Sequence, residues 1–195
     1  MGSVPKCLLS LDGVPLVHRH LQALRETGVH DVVVVTGYHH ERIEPVIGST
    51  GAITVRNPHP ERGQQTSVRI GMEAMGSGYD LVIVALADQP LVGSAELTEL
   101  VSAFKSRATG TQVVYPSVQG KRGNPVIFSG ELVDQMLANQ SEIAPRKLID
   151  QHPELVHLHQ TANDRFIFDL DTRDDIHEFE KRTGMKLVMP MPSMS

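Results

Sequence analysis

The segment Leu81 to Pro90, LVIVALADQP, combines a run of apolar residues with a carboxylate at its end. A short apolar run with a polar stop predicts a strand buried on both faces, in the middle of a parallel sheet. Because ligands of open α/β sheets bind at the carboxyl ends of strands, Asp88 lies where chemistry would take place. Pro90 ends the strand, since it cannot donate to the ladder. The alternative is that Asp88 only caps the next helix.

A second apolar segment, predicted to be a strand from Phe166 to Leu170, carries Asp169 and is followed by Asp171. Carboxylates from two strand ends can converge on one divalent cation. Mg²⁺ is typically held by one or two carboxylates, with phosphate oxygens and water completing its shell. The pattern is therefore consistent with a magnesium site formed by Asp88, Asp169 and Asp171, although DxDT before a helix is also a good capping sequence.

Two further stretches carry groups that could bind phosphate. A helix predicted to begin after Gly63 has Ser67 near its start, and helix N-termini bind anions through free N–H groups. Lys121 and Arg122 lie in a predicted loop before Gly123, where the backbone can approach a ligand closely. The alternatives are an ordinary helix cap in the first case and a solvated turn in the second.

Alternating strands and helices must position these residues. The first 107 residues contain four alternations in a row, which predict βαβ units and a three-layer αβα sandwich. Helical periodicity is found in residues 15–27, 39–47, 64–75 and 94–107, with Ser94 as the predicted N-cap of the last helix, and strand-like runs are found in residues 31–36, 53–56 and 81–87.

The remainder of the chain breaks this alternation. Residues 112–116 and 125–128 predict two short strands that form a hairpin-like excursion from the sheet. Helices are predicted over residues 129–138 and 145–151, a half-exposed strand over 155–159, and a last helix capped by Thr172 and ending near residue 183. We expect one domain over residues 1–184 and a loose tail over residues 185–195, where the sequence has no period.

Composition excludes several classes of protein. The net charge of -5 gives no electrostatic footprint for nucleic acid, and no apolar run approaches the roughly 20 residues of a membrane span. Cys7 is the single cysteine, which excludes an intrachain disulfide framework and fits a reducing compartment. We expect Cys7 to be a core residue rather than a nucleophile. No signal peptide is visible, so a cytoplasmic location is the default.

Several motifs, taken together in this order, resemble the MobA-like nucleotidyltransferase family, and most closely its molybdenum cofactor cytidylyltransferase branch. Each motif is weak alone, and Ala87-Asp88-Gln89-Pro90 is the most specific. The matching motifs are Pro5-Lys6-Cys7-Leu8-Leu9, Gly13-Val14-Pro15-Leu16, Asn57 with residues 63–71, Ala87-Asp88-Gln89-Pro90, Gly123-Asn124-Pro125-Val126 and Asp169-Leu170-Asp171-Thr172.

The resemblance implies a Rossmann-like, mostly parallel sheet and transfer of CMP, or another nucleoside monophosphate, from a triphosphate to a phosphate acceptor. It implies Mg²⁺ as the cofactor, CTP rather than GTP as the favoured donor, and a molybdopterin-type acceptor, with a molybdoenzyme or chaperone as a possible partner. The implied roles are catalysis by Lys6 and Asp88, nucleotide binding by Lys6, Asn57, Gly63, Ser67 and Asp88, acceptor binding by Arg122, Gly123 and Asn124, and metal binding by Asp88, Asp169 and Asp171.

The chain also departs from the family pattern. Family members begin with a strand and a loop of the form LAAGxSxRMG, of which only Met1-Gly2 is matched here, so we expect that strand and most of the loop to be absent from this chain, either through a misassigned start codon or through truncation. Asn124 and Arg173 replace the usual His and Pro. The alternative to an active enzyme is therefore a truncated, catalytically weak member that acts as a binding or interaction protein.

Overall fold

The structure, a computed structural model, describes residues 5–138 and 145–188. The helices in these ranges are α1 (Leu16–Glu26), α2 (His40–Ile47), α3 (Gln64–Met75), α4 (Ser94–Lys105), α5 (Gly130–Ala138), α6 (Pro145–Gln151) and α7 (Arg173–Thr183). The strands are β1 (Ser10–Leu11), β2 (Val14–Pro15), β3 (Val33–Thr36), β4 (Ile53–Arg56), β5 (Leu81–Val84), β6 (Val113–Val118), β7 (Lys121–Arg122), β8 (Val126–Ser129), β9 (Val156–Gln160) and β10 (Leu187–Val188).

The helices follow the predictions, and α3 and α6 match their predicted bounds. The predicted N-cap of α4 was wrong, because Ser94 is the first helical residue and Gly93 is the cap. The carboxylate of Glu96 accepts the Gly93 N–H at 3.0 Å and thereby satisfies this helix start. Asp88 therefore does not cap α4, as the alternative interpretation required.

The described strands form three sheets, of two, three and five strands, and the five-stranded sheet is mixed instead of mostly parallel. Strands β3 and β4 pair in parallel, as do β6 and β9, whereas β8 lies antiparallel between β5 and β6. The prediction that β5 lies in the middle of a parallel sheet was wrong, since β8 is its only partner among the described strands. The chain reverses after β6 and β7, so β8 returns beside β6 in the antiparallel sense.

The predicted three-layer αβα class is confirmed. Side chains alternate along β5 and β8, so that Val82 and Phe128 pack with α3, α5 and α6. Ile83 and Ile127 point the other way and pack with Leu100 of α4 and its neighbours. Helices therefore cover both faces of this sheet, as strands buried on alternate sides require.

The carboxyl-terminal part departs further from the predictions. The predicted strand over residues 166–170 is instead a 3₁₀ turn, Asp164–Ile167, followed by extended chain. The apolar pattern of residues 166–170 reflects the burial of Phe166 and Leu170. The backbone hydrogen bonds of these two residues are made to the loops that carry Asn124 and Asp88, and not to a neighbouring strand. Part of the predicted loose tail is ordered, since β10 pairs with β1, and residues 189–195 lie outside the described ranges.

No helix in the described ranges is both long enough and apolar enough to cross a bilayer.

Candidate active site

Three of the predicted site residues meet at the end of β5. The Lys6 Nζ lies 2.7 Å from Asp171 Oδ1 and 3.9 Å from Asp88 Oδ2. Lys6 belongs to a 3₁₀ turn near the start of the chain, Asp88 follows β5, and Asp171 precedes α7. Because an ammonium bridges two carboxylates from distant segments, this position already attracts a cation.

The Asp88 carboxyl is partly buried and lies near two other carboxylates, those of Asp169 and Asp171. Burial raises the pKa of Asp88, the charge of Asp169 raises it further, and Lys6 opposes both. Its side chain is one-third exposed, at 33%, whereas that of Asp171 is 70% exposed. A cation that binds here therefore relieves an electrostatic cost at Asp88 more than at Asp171.

The start of α7 holds Asp171 in position. Asp175 Oδ2 accepts the N–H of Asp171 at 2.9 Å and the N–H of Thr172 at 2.6 Å, and Thr172 Oγ1 accepts the Asp175 N–H at 3.2 Å. This is a capping box. The pKa of Asp175 is lowered chiefly by the Thr172 hydroxyl, which donates to Asp175 Oδ2 at 2.8 Å, and also by the backbone N–H groups of Thr172 and Asp171. Because Thr172 and Asp175 cap the helix, the side chain of Asp171 remains directed toward Lys6.

A buried amide joins the two acidic segments. Gln89 is 1% exposed, and its Nε2 donates to Asp169 Oδ1 at 2.8 Å and to the Phe166 carbonyl at 3.2 Å. The Leu170 N–H also donates to the Asp88 carbonyl at 3.0 Å. The sequence motif contained Gln89, but no role was assigned to it, because only the fold shows which segment it faces.

The loop predicted to bind the acceptor is tied to the same segment. The Asn124 N–H donates to the Phe166 carbonyl at 2.9 Å. A Cβ on Gly123 would lie 2.6 Å from that carbonyl oxygen, so only glycine permits this approach. Arg122 instead points to Asp150, with 3.0 Å between Nη2 and Oδ1, and its guanidinium stacks 4.6 Å from the Tyr115 ring centre. Gly123 and Asn124 therefore adjoin the acidic segments, while Arg122 is engaged elsewhere.

A second group of predicted residues surrounds the start of α3. Asn57 is 2% exposed, and its Nδ2 donates to Thr66 Oγ1 and Ser67 Oγ, each at 2.9 Å. Gly63, with φ of 94°, precedes the helix and offers its carbonyl to Thr66 Oγ1. Asn57 therefore positions the start of α3 through hydrogen bonds to its first turn. Ser67 lines the same cavity as Ala87, the residue before Asp88.

Cys7 is half-buried and packs beside the cluster formed by Leu8, Val17, Leu21 and Ile47. Burial raises the pKa of its thiol to about 11, and the charge of Asp88 contributes to the same effect. The thiol therefore stays protonated at neutral pH and is a poor nucleophile. This agrees with its prediction as a core residue.

The donor set of the site suits a hard divalent cation. Asp88 and Asp171 supply two carboxylates around the Lys6 Nζ position. Mg²⁺ usually takes one or two carboxylates from a protein when phosphates and water supply its other ligands. Asp169 is engaged by Gln89. Within the described ranges, no group of three or more His, Cys, Asp or Glu side chains could hold a metal alone. The three-carboxylate set of Asp88, Asp169 and Asp171 stays a prediction.

Comparisons with known proteins place the chain in a family. Residues 1–156 match the MobA-like NTP transferase domain, so the chain belongs to that family. It is 27% identical over 130 residues to the bifunctional protein GlmU of Mycobacterium marinum, an alignment that covers 63% of this chain. The alignment covers 26% of GlmU, so the chain spans about a quarter of the length of this curated relative.

Solved structures of nucleotidyltransferases share the fold. A nucleotidyl transferase from Methanothermobacter has a TM-score of 0.71 at 21% identity, covering 91% of this chain and 84% of that one. Rv0371c of Mycobacterium tuberculosis, in complex with manganese, has a TM-score of 0.67 at 19% identity and covers 92% and 93%. A CMP:2-keto-3-deoxy-manno-octonic acid synthetase complexed with CTP has a TM-score of 0.68 at 12% identity, covering 94% of each. At these identities the likeness shows the fold alone.

Proposed function

We propose that the protein is a magnesium-dependent nucleotidyltransferase that moves CMP from CTP to a phosphate group on a molybdopterin-type acceptor. The observation that supports it most is the bridge from Lys6 to Asp171 and Asp88, which joins two acidic segments at one cation-attracting point. Family membership and structural relatives that bind CTP and manganese point the same way. The single cysteine fits action in the cytoplasm.

In the proposed reaction, an acceptor phosphate oxygen forms a bond to the α-phosphorus of CTP. The bond from that phosphorus to the oxygen bridging the α- and β-phosphates breaks, and its electron pair leaves with pyrophosphate. Such transfers need positioning and neutralisation of charge and no covalent nucleophile on the protein. Mg²⁺, when bound, would screen the charge of the phosphates.

The residues of the chain then take distinct roles. Asp88 and Asp171, with Asp169 beside them, would hold the cation, and Lys6 would neutralise phosphate charge. The start of α3, with Gly63 and Ser67 braced by Asn57, would bind the nucleotide through free N–H groups. Gly123 and Asn124 would face the acceptor, with Arg122 at the edge of that surface.

The direct test is pyrophosphate release by the whole chain with Mg²⁺, CTP or GTP, and reduced molybdopterin. We expect Asp88→Asn to lower turnover roughly 100-fold or more, since removing a metal ligand costs several kcal/mol at the transition state. Asp174→Asn is the matched control, because it makes the same substitution at an exposed carboxylate in the first turn of α7. Equal turnover by wild type and Asp88→Asn would contradict the proposal.

A second candidate function is that of a binding or interaction protein on the same fold. Strands β3 and β5 lie in different sheets among the described strands, and the cavity between them reaches Gln64 and Ser67 at the start of α3. An open cavity next to the proposed phosphate-binding helix start favours weak binding of the nucleotide, and therefore this second candidate. Calorimetry with CTP, GTP and Mg²⁺ distinguishes the candidates. Tight Mg²⁺-dependent binding supports the enzyme, whereas no binding of either nucleotide supports the second candidate.

A further inference from the structure

Asp169 is the third carboxylate near the end of β5, and its partner differs from those of the other two. Within the described ranges, Lys6 forms ion pairs with Asp171 and Asp88 and none with Asp169. The Oδ1 of Asp169 instead accepts a hydrogen bond from Gln89 Nε2 at 2.8 Å. A charged ammonium therefore bridges Asp88 and Asp171, whereas a neutral amide holds Asp169.

Asp169 nevertheless lies close to the point where a cation would bind. Of the charged groups that act on the pKa of Asp88, Asp169 has the largest effect, ahead of both Lys6 and Asp171. Because the interaction between two charges weakens with distance and with solvent screening, the half-buried Asp169 carboxylate lies near that of Asp88. A turn of the Asp169 side chain toward the cation would give the site a third carboxylate.

The amide of Gln89 has one orientation that satisfies its neighbours. Its Nε2 donates to Asp169 Oδ1 and, at 3.2 Å, to the Phe166 carbonyl. Rotating the amide by half a turn would place Oε1 against a carboxylate oxygen and a carbonyl oxygen, both of which are acceptors. The amide therefore acts here only as a donor, and one of its two acceptors is Asp169.

This orientation leaves a buried polar atom without a partner. Gln89 is buried, and its Oε1 has no hydrogen-bond partner among the described residues. Such an atom costs free energy, and an apolar side chain of similar size would avoid that cost. Packing alone therefore does not account for an amide at this position, whereas the hold of its N–H groups on Asp169 does.

The segments on either side of the amide are also fixed. The Phe166 carbonyl accepts a second hydrogen bond, from the Asn124 N–H at 2.9 Å. The Asp88 carbonyl, one residue before Gln89, accepts the Leu170 N–H at 3.0 Å. Because both its own backbone and its second acceptor are held in place, the Gln89 amide is a rigid clamp on Asp169.

We propose that Gln89 is a positioning residue that keeps Asp169 out of the coordination shell of the bound cation, so that the site offers the carboxylates of Asp88 and Asp171 and selects Mg²⁺ over Ca²⁺. This role rests on the proposed function, because it takes that cation site as given. Mg²⁺ demands near-ideal octahedral geometry and takes one or two carboxylates, whereas Ca²⁺ takes about six to eight oxygen ligands in a flexible shell. A third mobile carboxylate would therefore favour Ca²⁺.

The first test measures ion binding by the whole 195-residue chain without nucleotide. The electron paramagnetic resonance signal of free Mn²⁺ reports its binding, and Mg²⁺ or Ca²⁺ is then added to displace it. We expect Gln89→Leu to shift the ratio of Ca²⁺ to Mg²⁺ affinity at least tenfold toward Ca²⁺, because Asp169 is released. Gln135→Leu is the matched control, since it makes the same substitution at an exposed amide of α5, and it should keep the wild-type ratio.

A double variant separates this effect from a general loosening of the site. In Gln89→Leu with Asp169→Asn, the released side chain no longer carries a charge, so we expect the ratio of affinities to return to the wild-type value. A third measurement needs no substitution. In nitrogen-15 spectra of wild type, the exchange of the Gln89 side-chain amide protons with water should stay slow when Mg²⁺ is added, because the hydrogen bond to Asp169 persists.

Each outcome decides the matter. A tenfold shift that disappears in the double variant, with the Gln89 amide protected in Mg²⁺, supports the proposal. An unchanged ratio in Gln89→Leu, a shift that persists in the double variant, or faster exchange of the Gln89 amide in Mg²⁺ overturns it. Pyrophosphate release distinguishes this failure from that of the proposed function. An unchanged ratio with normal turnover contradicts the role of Gln89 alone, and an intact shift without turnover contradicts the proposed reaction alone.

Discussion

The two acidic segments that meet at Lys6 are similar in sequence, but their carboxylates differ in burial and in electrostatic environment. After β5, Asp88 is two-thirds shielded, and burial and neighbouring acids raise its pKa. Before α7, Asp171 is largely exposed, and its neighbour Asp175 has a pKa lowered by the hydrogen bonds of the helix cap. One segment carries an electrostatic cost that a cation would relieve, and the other supplies a stable turn that presents a carboxylate.

This difference assigns separate roles to the two segments: the α7 segment stabilises the fold, and the Asp88 segment is suited to bind a cation. Residues that cap a helix stabilise the fold in the absence of any ligand. A buried carboxylate with raised pKa destabilises the fold at neutral pH, and such costs cluster at functional sites. The comparison therefore predicts opposite effects on stability for substitutions in the two segments.

The largest expected effect on stability is at the link between the segments. Gln89→Glu replaces the amide donor to Asp169 with a second carboxylate about 3 Å away, and we expect a loss of about 1 to 3 kcal/mol in the free energy of unfolding at pH 7. Gln89→Leu should cost less, since it adds no charge. The loss in Gln89→Glu should shrink as pH falls and one carboxyl of the pair takes a proton. Urea unfolding at pH 5 and pH 7 measures this, and equal losses at both pH values would count against it.

A smaller effect is expected at the start of α7. Asp175→Ala removes the acceptor of the N–H groups of Asp171 and Thr172 and should cost about 1 kcal/mol. Asp174→Ala, which removes a first-turn carboxylate that makes no cap, is the control and should cost less. Thermal unfolding compares the two variants. A larger loss for Asp174→Ala would mean that the cap does not hold this turn.

The smallest effect has the opposite sign. Because the native pKa of Asp88 is raised, the native state binds more protons than the unfolded state between the two pKa values, and stability falls as pH rises through that window. Asp88→Asn should therefore be more stable than wild type at pH 7, with a smaller difference near pH 4. Urea midpoints at the two pH values test this. A variant less stable than wild type at pH 7 would show that Asp88 is a structural residue.

The sequence predicted the bounds of helices and strands better than it predicted which strands pair with each other. Apolar periodicity located α3, α6 and β4 because those patterns are set within a few residues. It misassigned residues 166–170, whose apolar side chains are buried although their backbone pairs with loops. Strand order depends on contacts between distant segments, so no local signal showed that β5 lies at an edge of the sheet formed by the described strands.

The same limit applies to the site. Asp88 and Asp171 stood out because each carboxylate follows an apolar run, and the structure brings both to Lys6. The structural roles of Gln89 and Asp175 depend on which segments they face, and Arg122 is drawn to Asp150 instead of the site. The motif in the sequence contained Gln89, and only the three-dimensional contacts explain it.

The central claim is that Asp88 and Asp171 form one divalent-cation site that a nucleotide completes. Electron paramagnetic resonance of Mn²⁺ with CTP measures this directly against a protein-free sample of the same Mn²⁺ and CTP, since Mn²⁺ held on the protein has a weaker and broader signal than Mn²⁺ bound to CTP in solution. We predict that wild type and Asp174→Asn lower the signal well below that of the protein-free sample, and that Asp88→Asn and Asp171→Asn each restore most of the difference. Mn²⁺ binding that is the same in all four proteins would contradict the account.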